Sequence, residues 1–205
     1  MIASSETGEK HTRTSEEDKH MNKGDYRKKL LRIRSAVGGE RRAALTHALA
    51  DAIEKLSPKS VGLYWPIRGE PDCRDVLIGW QTSSGGILCL PETQSESMIY
   101  RRWDIGMVMS LDIAGIPYPP GEEMRPEVII APCVGYSESG RRLGYGGGYF
   151  DKYLSQCRTR PRVIGLAFDE MRVPESLFQS FDQPLDAVVT DCRVIGTLVK
   201  KKAAV

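Results

Sequence analysis

Histidine is nearly missing. The 205-residue chain holds three, of which His11 and His20 lie near the N-terminus and only His47 stands in the body. That scarcity argues against a histidine triad or a multi-histidine metal site. Cysteine is sparse too: Cys73, Cys89, Cys133, Cys157 and Cys192 are odd in number, scattered, and never in C-x-x-C spacing. Zinc ribbons and thioredoxin-type redox pairs are therefore unsupported, and reduced, mostly buried thiols are expected. No apolar run approaches the ~18 residues that crossing a bilayer requires, and the N-terminal stretch lacks the apolar segment of a signal peptide. Neither sign of charge prevails, with Lys+Arg 29 against Asp+Glu 27 and a net charge of +2. Charge thus offers no case for nucleic acid. A cytoplasmic protein without nucleic-acid or membrane partners is the expectation.

What is present is ordinary globular material, 40% hydrophobic and 27% charged, of a size for one domain. Residues 1–24 have almost no apolar side chains and mix both charge signs, which predicts a flexible polar tail. Residues 25–205 are expected to form a single α/β catalytic domain. A short basic helix is predicted over 25–37, stopped by Gly38 and Gly39. A second is predicted over 40–56, with Leu45, Leu49, Ala52, Ile53 and Leu56 as its buried stripe and His47 off it. Beyond these, strands are predicted at 60–65, 86–91, 98–103, 127–136, 162–168, 186–190 and 193–199. Helices are expected at 73–81, after the glycine loop, and at 174–181. The proline-rich stretch 111–126 reads as an extended surface connection. Alternating strands and helices, with the apolar run EVIIAPCVGY among them, predict a three-layer sandwich with a mostly parallel central sheet and Rossmann-like topology.

The densest chemical signal is the stretch from Arg141 to Asp151, where Gly144, Gly146, Gly147 and Gly148 occupy four of five positions between a buried strand and a helix. Glycine lets backbone N–H groups approach an anion, and a helix N-terminus adds partial positive charge. The Walker pattern is absent, and the dinucleotide fingerprint fails because Tyr149 stands where its third glycine belongs. Phosphate binding is favoured over a plain glycine-rich turn by Arg142, Tyr149 and Phe150. Lys28 and Arg32, four apart on the first helix, suit either a polyphosphate clamp or a solvated face. In the loop 64–72, Trp65 suits a flat heterocycle and Glu70 its ring N–H groups. A core-edge aromatic and a helix-start charge fit those two residues equally well. Asp151 and Asp186 offer hard oxygens for magnesium beside phosphates. As structural residues, they would be a helix-start charge and a turn residue.

The segment from Gly140 to Asp151 resembles the signature of 5-formyltetrahydrofolate cyclo-ligases, also called methenyltetrahydrofolate synthetases. Further matches follow in the family's order: Lys28-x-x-Leu31-Arg32, Tyr64-x-Pro66-x-Arg68-Gly69-Glu70, Gly115-Ile116-Pro117 with Pro119, Gly165-x-Ala167-Phe168-Asp169-Glu170, Val173-Pro174, and Pro184-Leu185-Asp186. The resemblance spans roughly residues 25–195. It implies ATP-dependent cyclisation of 5-formyltetrahydrofolate to 5,10-methenyltetrahydrofolate, with ADP and phosphate released. It further implies a monomeric or weakly associating enzyme that acts on small molecules. Lys28 and Arg32 would hold the nucleotide phosphates, and the loop from Arg142 through Phe150 would cradle ATP. Trp65, Glu70 and Tyr145 through Tyr149 would line the folate pocket. Arg142 and Tyr149 would act on the reacting groups, and Asp151 and Asp186 would hold magnesium. Two positions depart from the family's pattern, Ser137 in place of an Asp and Phe150 in place of a Tyr. They leave a diverged, non-catalytic folate- or nucleotide-binding protein as the alternative. A sugar-phosphate isomerase fits poorly, for want of a catalytic carboxylate or histidine at a phosphosugar loop.

Overall fold

A computed structural model describes residues 21–179 and 182–199. In chain order its elements are α1 (Lys23–Ser35), α2 (Gly39–Leu56), β1 (Ser60–Gly62), α3 (Arg74–Ser84), β2 (Ile87–Thr93) and β3 (Met98–Trp103). The short strands β4 (Ser110–Leu111), β5 (Pro117–Tyr118) and β6 (Glu123–Met124) follow, then β7 (Val128–Pro132), β8 (Gly135–Tyr136), β9 (Arg142–Leu143) and α4 (Tyr149–Gln156). β10 (Arg162–Leu166), two 3-10 turns, β11 (Ala187–Val189) and β12 (Val194–Gly196) complete the order.

Eight strands form the main sheet in the order β12-β11-β10-β7-β1-β2-β3-β6. The inner five, from β11 to β2, run parallel, while β12 and β3 flank them antiparallel and β6 pairs antiparallel with β3 at the edge. β7 shows why: Val128, Ile129, Ile130, Ala131 and Pro132 are all buried, as a strand covered on both faces must be. The crossover from β1 through α3 to β2 runs in one direction across the sheet, and that from β7 through α4 to β10 runs in the other. Right-handed crossovers in opposite directions place α3 and α4 on opposite faces. The reversal also leaves a crevice beyond the carboxyl ends of β1 and β7, where ligands settle in such sheets.

Several elements differ from the sequence reading. α1 starts at Lys23, two residues inside the expected tail, because Asn22 and Asp25 form a reciprocal capping box: the Asn22 side chain accepts from the Gly24 and Asp25 N–H groups, and Asp25 accepts from the Asn22 N–H. Residues 1–20 of the predicted tail, with His11 and His20, lie outside the described residues. The proline-rich stretch is more than a connection. β4 and β5 pair as a hairpin, and β6 adds the last strand to the sheet; two-residue strands carry too little pattern to read, and Pro117 sits where an edge strand tolerates it. The helix expected over 174–181 is a single 3-10 turn, Glu175–Leu177, with Phe178 already extended; residues 180 and 181 lie outside the described residues. His47 is exposed, as expected. Cys73, Cys89 and Cys133 are buried and Cys157 half-buried, whereas Cys192 is exposed; all five are free thiols. No helix among the described residues is long and apolar enough to cross a membrane.

Candidate functional site

At the crevice lies a cavity of about 560 Å³. Tyr64 and Trp65 beyond β1, Pro91 and Thr93 of β2 and Pro132 of β7 form its floor. The glycine loop from Arg142 to Asp151 makes one wall, and Asp112, Ala114 and Ile116 of the β4–β5 hairpin overhang it. The hairpin tip is held by Asp112, whose carboxylate accepts from the backbone N–H groups of Thr93, Ala114 and Ile116.

The glycine loop is shaped as its composition requires. Gly146 and Gly148 have φ of +103° and +70°, and Gly148 caps α4 in the left-handed region, which side chains rarely adopt. A Cβ on Gly147 would come within 2.9 Å of the Tyr149 ring. The loop therefore presents bare backbone to the cavity, with the α4 N-terminus behind it. The Arg142 guanidinium lies 5.0 Å from the Phe150 ring centroid and 3.4 Å from the Asp151 carboxylate. Trp65 also lines the cavity, its ring 4.2 Å from the Arg74 guanidinium. Glu70, which also lines the cavity, is 5% exposed. Its Oε2 accepts from the Ile67 N–H at 2.8 Å, while Oε1 has no partner. Burial pushes the Glu70 carboxyl above its ordinary value, against the pull of that N–H, Tyr145, Arg34 and Arg68.

Of the residues singled out from the sequence, Trp65, Glu70, Arg142, Gly144, Tyr145, Gly146, Gly147, Gly148, Tyr149, Phe150 and Asp151 all line this one cavity. Three do not, and each has a physical reason. Lys28 and Arg32 are exposed and absent from the lining: Tyr26, Leu30 and Arg34 are the buried residues of α1, and that phase turns Lys23 and Arg27 to the cavity instead. Arg27 Nε donates to the Gly144 carbonyl at 2.7 Å. Asp186 stands at the amino end of β11, the wrong end of a parallel sheet for this crevice. Its carboxylate is occupied by Arg160 at 3.0 Å and the Val163 N–H at 2.8 Å. The carboxylate that does reach the cavity is Asp182, four residues earlier. Burial would raise the Asp182 carboxyl, but Lys23 at 2.8 Å and the Gln179 N–H outweigh it and hold it below its ordinary value.

Lys23, Arg27 and Asp182 are thus the residues the sequence reading missed. For the first two a signal existed, since Tyr26 and Leu30 set the inward face of a helix whose positions 23 and 27 lie beside it. For Asp182 there was none. The departures from the family's pattern also resolve by position. Ser137 is fully buried in the β8–β9 turn, bonded to Ser139 and to the Arg141 N–H, and does not line the cavity. Phe150 does, and offers its ring face to Arg142. As for a metal, no group of three or more His, Cys, Asp or Glu that could hold an ion occurs among the described residues. Asp151 and Asp182 both line this cavity, each beside a cation, Arg142 and Lys23 respectively.

Known proteins match this arrangement. Residues 19–191 match the 5-formyltetrahydrofolate cyclo-ligase family. The chain is 24% identical to the 5-formyltetrahydrofolate cyclo-ligase of Mycoplasma pneumoniae over 176 residues, 83% of this chain and 99% of that one. It is 28% identical to the mouse protein of that name over 151 residues, 64% of this chain and 72% of the relative. Among solved structures, 5,10-methenyltetrahydrofolate synthetase of Aquifex aeolicus superposes with a TM-score of 0.73 at 27% identity, covering 90% of this chain and 96% of that one. The fold, the glycine loop at the carboxyl edge of the sheet and the match over most of the sequence agree: the chain belongs to the 5-formyltetrahydrofolate cyclo-ligase family.

Proposed function

We propose that this protein closes 5-formyltetrahydrofolate to 5,10-methenyltetrahydrofolate at the expense of ATP, as a monomer in the cytoplasm. The observation that carries the reading is a single cavity lined both by a buried, half-unpartnered carboxylate and by a bare-backbone loop with flanking cations. Glu70 accepts hydrogen bonds from the N–H donors of the pterin, and Trp65 and Tyr145 bound its flat faces. The ATP phosphates lie along Gly144 to Gly148, with Lys23, Arg27 and Arg142 as counter-charges and Phe150 supporting Arg142.

The chemistry asks little of side chains. The formyl oxygen attacks the γ-phosphorus, the bond to ADP breaks, and an iminium phosphate forms. The neighbouring folate nitrogen then adds to the formyl carbon, closing the five-membered ring, and the carbon–oxygen bond breaks to release phosphate. Both nucleophiles belong to the substrate, so neither histidine nor cysteine is needed. The protein aligns the two substrates and neutralises charge on the transferring group. Arg142 of β9 and Tyr149 at the start of α4, at the two ends of the loop, face that group. Asp151 and Asp182 would hold magnesium, which when bound shields phosphate charge.

The test is the near-ultraviolet absorbance of the methenyl product after mixing the protein with 5-formyltetrahydrofolate and magnesium-ATP. Product that requires both substrates supports the reading. Tight folate binding without product would instead establish a non-catalytic member.

A further inference from the structure

Among the described residues, the bulkiest fully buried side chain is a cation that stays outside the lining of this cavity. Arg34, near the end of α1, is 0% exposed. It makes no ion pair among the described residues, and its Nε and Nη1 have no hydrogen-bond partner. Its Nη2 donates to the Tyr145 hydroxyl at 2.5 Å and to the Arg68 carbonyl at 2.8 Å. Those contacts join α1 to two loops that line the cavity: Tyr145 belongs to the glycine loop, and Arg68 to the loop that carries Glu70. Arg42 of α2 braces the same junction, donating to the carbonyls of Arg34, Val37 and Gly69.

A buried guanidinium without a carboxylate in contact is costly, and it persists where another charge compensates it through a medium of low dielectric. Glu70 is the one buried carboxylate among the described residues, and Tyr145, which Arg34 holds, neighbours it. The other titratable groups around it are Tyr64 beyond β1, Cys73 before α3, Cys133 after β7 and Tyr145 of the glycine loop. Burial holds all of them neutral, raising Cys73, Cys133 and Tyr145 to about 12 and Tyr64 well upward. The charged neighbours of Glu70 are Arg34 and Arg68. Arg68 is exposed, so water screens it, whereas Arg34 acts through protein.

We propose that Arg34 is a positioning residue for folate binding, which keeps Glu70 as the carboxylate and pins Tyr145, and so the glycine loop, beside it. The inference rests on Glu70 as the pterin acceptor, but its first consequence can be read without substrate. In protein labelled with ¹³C at the glutamate side-chain carboxyl, the Glu70 signal is identified by its loss in Glu70→Gln. Its titration midpoint should rise by about one pH unit in Arg34→Met and return to the wild-type value in Arg34→Lys. With substrates, the acid limb of kcat/KM for 5-formyltetrahydrofolate should move up by the same amount in Arg34→Met, while KM for ATP changes less than about twofold. Arg34→Lys keeps the charge but is too compact to reach both Tyr145 and the Arg68 carbonyl. It should therefore raise KM for the folate about tenfold, with an unshifted acid limb.

An unchanged Glu70 midpoint in folded Arg34→Met overturns the inference whatever the activity. If Arg34→Met fails to fold, Arg34→Gln supplies the neutral variant. If neither folds, Arg34→Lys decides: a raised Glu70 midpoint in that variant overturns the inference and a wild-type midpoint upholds it. A wild-type protein that forms no methenyl product would defeat the proposed reaction, while the Glu70 midpoints would still report on Arg34.

Discussion

The two basic faces of α1 carry the same kinds of side chain to different ends. On one, Lys23 and Arg27 meet the cavity, Lys23 through Asp182 and Arg27 through the Gly144 carbonyl. On the other, Lys28 and Arg32 stand in solvent. Each pair is four residues apart, so spacing alone cannot separate them; the phase of Tyr26 and Leu30 does, because those side chains must be buried. The aspartates Asp182 and Asp186 repeat the lesson. Also four apart, one faces the cavity and the other ties the amino ends of β10 and β11 together through Arg160 and the Val163 N–H.

The largest expected effect divides the faces of the helix. Lys23→Ala combined with Arg27→Ala should lower kcat/KM for ATP by about 100- to 10,000-fold, since two charge-assisted contacts to phosphate are lost at about 1.5–3 kcal/mol each. Steady-state kinetics at fixed folate would check this, and an ATP dependence like that of the wild type would return the phosphate site to the other face. Next, Glu70→Gln should raise KM for 5-formyltetrahydrofolate about 10- to 100-fold while sparing ATP, because one acceptor oxygen becomes a donor facing donors. The reverse ranking would remove Glu70 from the pterin.

Acidity should reproduce that effect in the wild type. Glu70 sits above its ordinary value because burial disfavours the charge, so folate binding should weaken about tenfold per pH unit as pH falls below its raised midpoint, and begin to do so above the ~4.3 of a free Glu. The stability of the ligand-free protein has the opposite sign. A carboxyl raised by folding is less of a burden once protonated, so its contribution improves as pH falls through the folded midpoint toward ~4.3. A folate KM that stays flat down to pH 4 would mean that the carboxylate is not the acceptor.

The aspartate pair should separate function from stability. Asp182→Asn is expected to raise the magnesium needed for half-maximal rate about tenfold. Asp186→Asn should leave the magnesium dependence alone and lower Tm by several degrees, from a loss of about 1–2 kcal/mol. A magnesium effect at Asp186 would contradict its place at the far end of the sheet. Smallest of all, Lys28→Ala with Arg32→Ala should stay within about twofold of wild type in every kinetic constant, as exposed charges do.

Much of this site was legible in the residues. A glycine-rich loop between a buried strand and a helix predicts its own position, because few other residues adopt Gly146 and Gly148 geometry and because strand–loop–helix order puts the loop at the carboxyl edge. Trp65 and Glu70 follow β1 and reach the same edge by the same rule. The β4–β5 hairpin and the edge strand β6 were not legible, since each strand is two residues long and held by pairing rather than by pattern. Nor was Arg34, which reads as one more charge on a basic helix.

The sequence by itself determined the alternation of strands and helices, the parallel core and the bare-backbone loop. These depend on local conformational preference and on apolar runs, both written along the chain. Only the tertiary structure decided which cations and which carboxylate the loop meets. Charge is indifferent to helical phase and strand end, whereas packing Tyr26, Leu30 and the strands of the sheet allows one orientation of each.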